Sequence, residues 1–197
     1  WARRSDMSNA FVSVAPDRSA TTPASLQYAT PAFGWGANGA LRWSNGEAGF
    51  DVRAADGETR ERFLFSGGAF QRTRVAGGET LSAGAYAETW ASFGDTLVSG
   101  GVRLDWWTAR NGERTERNIV TGAPTLALAP ADQSAWAPTA RAGLRRDLGD
   151  TYVRAAAYAG FRPPTLNELH RPFRVGNDVT EANAALEPER LYGIDAA

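Results

Sequence analysis

Thr96-Leu-Val-Ser-Gly-Gly-Val-Arg-Leu-Asp-Trp-Trp107 is the stretch that decides the fold. Val98, Gly100, Val102, Leu104 and Trp106 share one parity; Ser99, Gly101, Arg103 and Asp105 share the other. A period of two is a strand with one apolar and one polar face. Soluble strands average about 5–6 residues, whereas a strand crossing a bilayer at a tilt needs about 9–11. The length of this run points to hydrocarbon on its apolar side.

The same alternation extends over the rest of the chain and predicts eight strand segments. Residues 1–14 form the first, weakly patterned, with Ala10, Val12 and Val14 on one face. Residues 33–44 set Phe33, Trp35, Ala37, Gly39, Leu41 and Trp43 against Asn38 and Arg42. From Glu47 a third sets Ala48, Phe50, Val52 and Ala54 against Asp51 and Arg53. Residues 79–91 are the fourth and 96–107 the fifth. Residues 136–146 are the sixth, with regular pairing expected after Pro138, which cannot donate to a ladder. Residues 151–161 set Val153, Ala155, Ala157, Ala159 and Phe161 against Arg154 and Tyr158, and an eighth strand begins near Glu189.

The connections alternate in length. Asn45-Gly46, read as a hairpin turn because both residues tolerate positive φ, and the turns at 93–95 and 147–150 are short. Those at 15–32, 55–78, 109–135 and 162–188 are long; 55–78 reads as a protruding hairpin with its tip at Ser66-Gly67-Gly68. Short turns at one end and long loops at the other are the pattern of outer-membrane barrels. Trp35 and Trp43 share a face, and at about 3.4 Å per residue and a tilt of about 40° they stand roughly 21 Å apart along the membrane normal, close to the spacing of two aromatic girdles. The opposite face carries Arg42, Arg53, Arg103, Arg141, Arg145 and Arg154 with Asp51, Glu88 and Asp105, as a wet lumen allows. The fold class expected is all-β: an antiparallel up-and-down transmembrane β-barrel, present in part.

Composition narrows the alternatives. The formal net charge is −1, which gives no reason to expect a nucleic-acid partner. Every one of the 21 basic residues is Arg; biased base composition accounts for that more simply than a demand for bidentate pairing. With no Cys there is no thiolate metal site, thiol nucleophile or disulfide framework. Mean hydropathy is −0.38 and no apolar run approaches the roughly 18 residues of a spanning helix. The chain opens on Trp1, its one Met is Met7, and no signal peptide is visible; it reads as an internal fragment.

Gly34-Trp-Gly-Ala-Asn-Gly39 fits GxGxxG but lies inside an alternating strand, so a dinucleotide site is rejected and the glycines are read as relieving crowding. His170, the one His, has no elbow motif or ligand cluster beside it and reads as a polar loop residue. Thr165-Leu-Asn-Glu168 has capping-box spacing and predicts one short helical turn after Pro163-Pro164. No catalytic, metal or cofactor residues are assigned.

Tyr158-Ala-Gly-Phe-Arg-Pro-Pro-Thr-Leu-Asn-Glu-Leu-His-Arg-Pro-Phe173, followed by Asn183-Ala-Ala-Leu-Glu-Pro-Glu-Arg190, resembles the barrel motif of TonB-dependent outer-membrane receptors, GFRAPxLxEL and then NPxLKPE. Gly160, Phe161, Arg162, Pro163, Leu166, Glu168 and Leu169 match the first half; Asn183, Leu186, Pro188 and Glu189 match the second. Ala184 and Glu187 depart from it, standing where Pro and Lys are usual. These residues read mostly as scaffold. Arg162, Arg171, Arg174 and Arg190 are expected to pair with Glu168, Asp178, Glu181 and Glu189, and Arg162, Arg171 and Arg174 are possible ligand-facing loop residues. The resemblance implies that residues 1–197 are about eight strands from the C-terminal part of a 22-stranded receptor barrel, without its plug domain. It also implies a location in the Gram-negative outer membrane and uptake of a scarce nutrient of the ferric siderophore or cobalamin class. The partners implied are outer-membrane lipid, a small nutrient held by extracellular loops, and the TonB complex acting through the absent plug. The competing readings are a passive structural or adhesive small barrel, disfavoured by the ending Asp195-Ala-Ala197, and a soluble β-sandwich binding module or carbohydrate enzyme.

Overall fold

The computed structural model describes residues 1–175 and 178–197, with the side chains of 174, 175, 178 and 179 excepted. Its elements in chain order are β1 (Ala2–Ser5), β2 (Asn9–Val14), β3 (Thr21–Ala29), β4 (Ala32–Trp43), β5 (Gly46–Ser66), β6 (Ala69–Phe93), β7 (Thr96–Asn118), β8 (Pro124–Leu128), β9 (Gln133–Leu148), β10 (Thr151–Arg162), α1 (Leu166–His170), β11 (Phe173–Val175), β12 (Asp178–Thr180) and β13 (Glu189–Ala196). One antiparallel sheet runs β1-β4-β5-β6-β7-β9-β10-β13, with β2, β3 and β8 extending it. Seven strands of that path correspond to segments expected from the alternation; in place of the first, expected over 1–14, the path holds β1 alone, and Ala10, Val12 and Val14 lie on β2.

The registers settle which side chains share a face. Trp43, Gly46, Thr89, Gly100, Ala142, Ala157 and Ile194 form one cross-strand row; Leu41, Ala48, Ala87, Val102 and Ala140 form the next on the same face. Across β4–β9 this outward face stays free of ionisable side chains from the Trp43 row to the row of Trp35, Ala54, Leu81 and Thr108. Charge first appears in the next row, Asp56, Glu79 and Arg110. Trp106 lies directly opposite Trp136, one row below Trp35, so three indoles mark the upper limit of the band. Trp43 marks the lower.

Burial is inverted relative to a soluble sheet. Leu41, Phe50 and Val102 are 72%, 57% and 63% exposed, while Glu61, Asp105 and Glu116 on the opposite face are at most 5% exposed. A water-soluble sandwich would cover the apolar face with a second sheet; among the described residues nothing covers it. Bilayer hydrocarbon is the medium that tolerates such a face.

Several loops expected from the sequence are sheet. The segment 15–32 contains β3, which pairs with β2 and β5, leaving a turn closed by Ala15 N to Ala20 O at 2.9 Å. Residues 1–14 are two strands broken at Asp6-Met7-Ser8, where Thr30 exchanges hydrogen bonds with Met7 and its N–H donates to Asp6. The segment 109–135 holds the end of β7 and all of β8. The protruding hairpin at 55–78 is present, and Gly67 and Gly68 both take positive φ at its tip.

Two local expectations fail. Pro138 sits inside the ladder, opposite Leu104; β10 pairs with β9 only from Arg141 to Leu148, so one side of β9 is an edge at that level and the missing N–H is tolerated. The first tight turn is Ser44-Asn45, closed by the Trp43↔Gly46 pair, and neither Asn45 nor Gly46 has positive φ. Gly46 serves space: a Cβ there would run into the Trp43 indole. Similarly, Gly36 makes room for the Trp1 ring and Gly39 for Phe50, inside an unbroken strand.

Candidate functional site

The motif segment does not project as a free loop. It turns back onto the polar face of the sheet, above the uncharged band, and its two halves meet there. Pro163 and Pro164 end β10, and Thr165 caps α1 in extended conformation, φ −83° and ψ 160°. The capping box is complete: the Glu168 N–H donates to Thr165 Oγ1 at 3.3 Å, and the Thr165 N–H donates to Glu168 Oε2 at 2.7 Å. Arg162 grips the same carboxylate, with Nη1 and Nη2 at 3.1 and 2.9 Å, and donates from Nε and Nη2 to Glu189 at 3.0 and 2.9 Å. One guanidinium therefore ties α1 to the first residue of β13. The Arg162 bonds, followed by those from Thr165, hold the Glu168 carboxyl at a pKa of about 2.

The second half of the motif closes over the first. The Asn183 N–H donates to Glu168 O at 3.0 Å, its side-chain oxygen accepts from the Ala185 N–H at 3.0 Å, and Leu186 packs against the cluster of Trp107, Ala109 and Leu169. Leu169 is 1% exposed and packs with Trp107 and Ala109 of β7. Trp106 and Trp107 thus serve opposite media from adjacent positions.

Beside α1 lies a buried charge network that crosses the upper half of the sheet. Glu61, 2% exposed, accepts from Arg74 Nη1 at 2.7 Å and from Arg171 Nη2 at 3.1 Å. Arg74 Nε donates to Glu116 at 2.8 Å while its guanidinium stacks 4.1 Å from the Phe63 ring centroid. Arg114 joins Glu116 to Glu181 at 2.9 Å on each side. Gln27 satisfies both ends of its amide with the oxygen toward Arg171. Arg, planar and always charged, suits such multi-partner contacts.

The candidate residues divide accordingly. Arg162 and Glu168 are committed to each other and to Glu189. Arg171 pairs with Glu61, not with the loop carboxylates expected, and the expected partner Glu181 is taken by Arg114. Leu166 and Pro163 line a cleft of about 1070 Å³ shared with Trp1, Trp107 and Arg171. Gly160 has open space where a Cβ would stand, and Phe161 lies on the outward face with Arg190 as its cross-strand partner. Pro188 immediately precedes β13. The Arg174 side chain and Asp178 fall outside the described side chains.

His170 corrects its reading as a polar loop residue. It is 6% exposed, at the C-terminal end of α1, and its Nε2 has no partner among the described residues. The ring rests where Gly78 and Gly112 lack side chains. Burial lowers its pKa below the usual histidine value.

Lower on the same face, Arg103 bridges Asp51 at 2.7 Å and Asp105 at 2.5 Å, Glu47 accepts from Arg42 and from the Tyr86 hydroxyl, and Arg141 pairs with Glu88. Sequence reading placed these charges on this face, Glu47 excepted, but missed Glu61, Arg74, Arg114 and Glu116. The available signal was the same-parity pairs Arg72/Arg74, in the segment read as a protruding hairpin, and Arg114/Glu116, in the segment read as a loop.

A family model, TonB dependent receptor-like, beta-barrel, matches residues 2–197. No curated protein matches the chain.

Proposed function

This chain belongs to the β-barrel family of TonB-dependent receptors, an outer-membrane transport family of Gram-negative bacteria, and from that membership we propose that it is part of a receptor that imports a scarce nutrient of the ferric siderophore or cobalamin class. In this reading residues 1–197 supply the C-terminal portion of the barrel wall. The plug that engages TonB belongs to the rest of the receptor, and the nutrient is held by plug and extracellular loops.

The observation that carries the reading is the pairing of an uncharged outward band with a charge-lined inward face. A wall that is dry outside and ionic inside suits a wet passage filled by a second, polar protein surface. Energy input fits the same picture. The inward charges of Arg103, Arg74 and Arg171 each have carboxylate partners within the wall, so a polar plug can slide past them without leaving those charges bare.

The test is uptake by cells carrying or lacking the gene, with and without TonB, using radiolabelled ferric siderophores and cobalamin as separate probes. Gene-dependent and TonB-dependent accumulation of either probe is expected. Accumulation that ignores TonB would favour a passive barrel, and gene-independent accumulation of both would remove the proposed nutrient classes.

A further inference from the structure

The buried imidazole of His170 has work that neither the barrel wall nor nutrient uptake explains. A buried nitrogen without a partner is uncommon enough in folded proteins to require a physical reason. Here it lies in a notch built for the ring. Gly78 of β6 and Gly112 of β7 flank a register shift between Gly77 and Glu79, and a Cβ on Gly112 would collide with the imidazole. The two neighbours of His170 in sequence are also anchored: Leu169 in the Trp107 cluster and Arg171 on Glu61. Three consecutive side chains thus hold α1 to the wall by three different interactions. Only one of them changes charge near neutral pH.

We propose that α1 is a proton-released latch, in which neutral His170 seated on Gly78 and Gly112 keeps residues 165–171 docked on the lumenal wall, and protonation of the imidazole drives them off it.

Among the described residues, the charged groups around the notch give the protonated ring no counter-ion. From β6, Glu79 lies on the outward face and accepts from Asn111. From β7, Arg110 reaches toward the Trp106 ring, and Glu113 pairs with Gly77 in the outward-facing register. On α1 and its flank, Glu168 is held by Arg162 and Arg171 by Glu61. The nearby buried carboxylates Glu61, Glu116 and Asp105 are each occupied by arginine. In the closing turn Glu181 is bound to Arg114, and Glu187 is exposed. Burial is the one cause that lowers the His170 pKa, in keeping with this geometry.

The sign follows from linkage. The docked imidazole binds its proton more weakly than the undocked one, so docking is at full strength above the ordinary value of 6.5 and weakens as pH falls through the docked value. Between the two, docking loses about tenfold for each pH unit. The inference is independent of which nutrient is carried.

The experiment is hydrogen exchange followed by mass spectrometry on the full-length protein in lipid vesicles, from about pH 7.5 to about pH 5, the window in which an undocked histidine gains its proton. Amide protection of 165–171, corrected for intrinsic exchange, is expected to fall on acidification in the wild type and to stay level in His170→Gln. Gly112→Ala, which fills the notch, is expected to lower protection at both ends of the range. Exchange at the imidazole C2 of the same peptide reads the His170 pKa with no substitution at all. Level wild-type protection, an equal fall in His170→Gln, or a His170 pKa at or above 6.5 would each overturn the latch.

Discussion

The lower and upper halves of this sheet are built from the same strands but solve opposite problems. Below the row of Asp56, Glu79 and Arg110, β5, β6 and β7 show hydrocarbon a surface of Ala, Val, Leu and Trp, and strict alternation is all the bilayer asks. Above that row the strands continue without hydrocarbon beside them. Stability there comes from the inside, where α1 seats His170 against Gly78 and Gly112 and where Glu61 and Glu116 are buried among arginines. A single strand thus changes its means of stabilisation partway along its length, from medium to packing.

The sharpest way to break this comparison is to remove one charge from the upper network. Glu61→Ala deprives Arg74 and Arg171, both 12% exposed at the side chain, of a shared partner. Removing one partner of a buried pair costs about 3–5 kcal/mol; with Glu116 and Gln27 still in place, the lower end applies. Urea unfolding of the vesicle-inserted protein measures it, and a loss under about 1 kcal/mol, as for a surface pair, would deny the upper half its interior.

Next in size is a charge on the lower half's outer face. Val102→Arg, in the middle of the uncharged band, is expected to cost about 2–4 kcal/mol, whereas Thr115→Arg, beyond the band and paired with Val75 and Ala127, should cost about 0–1 kcal/mol. Equal costs at the two positions would mean that the band is not in hydrocarbon. Smaller again is the α1 cap. Thr165→Ala removes the hydroxyl that accepts from the Glu168 N–H, a change worth about 1 kcal/mol. Acid acts on the same cap through Glu168. Its folded pKa of about 2 lies below the unfolded value near 4.5, so its contribution is whole above 4.5 and is lost as pH falls toward 2. Circular dichroism cannot isolate five helical residues, so amide exchange at Leu169 is the measurement for both.

The two halves also differ in how far they can be read from sequence. In the lower half every strand carries its address in its own alternation, because the bilayer imposes one rule on each strand separately. Upper-half strands lack that rule. In β3 the pattern is interrupted by Pro23 and a register shift, and its pairing with β5 depends on residues more than thirty positions away. Pro124 hides β8 in the same way. Glu61 meets Arg171 across 110 positions, and nothing near Glu61 announces it. The motif clamp was partly legible, since Arg162, Glu168 and Glu189 stand in recognisable places. That His170 would be buried was not, because its notch is made by glycines on two other strands.

The smallest expected effect isolates what burial adds to one kind of bond. Arg42–Glu47 in the lower half and Arg74–Glu61 in the upper half are both short arginine–carboxylate pairs, at 2.5 and 2.7 Å. Arg42 is 73% exposed at the side chain and Arg74 is 12% exposed. Glu47 keeps the Tyr86 hydroxyl when Arg42 is removed, so Arg42→Ala should cost about 0–1 kcal/mol. A double-mutant cycle on each pair separates the coupling from the cost of truncation. The upper cycle should give the larger coupling, and salt should weaken the lower one alone, because exposed pairs are screened and buried ones much less so. If both couplings fall equally with salt, water reaches Arg74 as freely as Arg42, and the distinction between the halves reduces to the outward face.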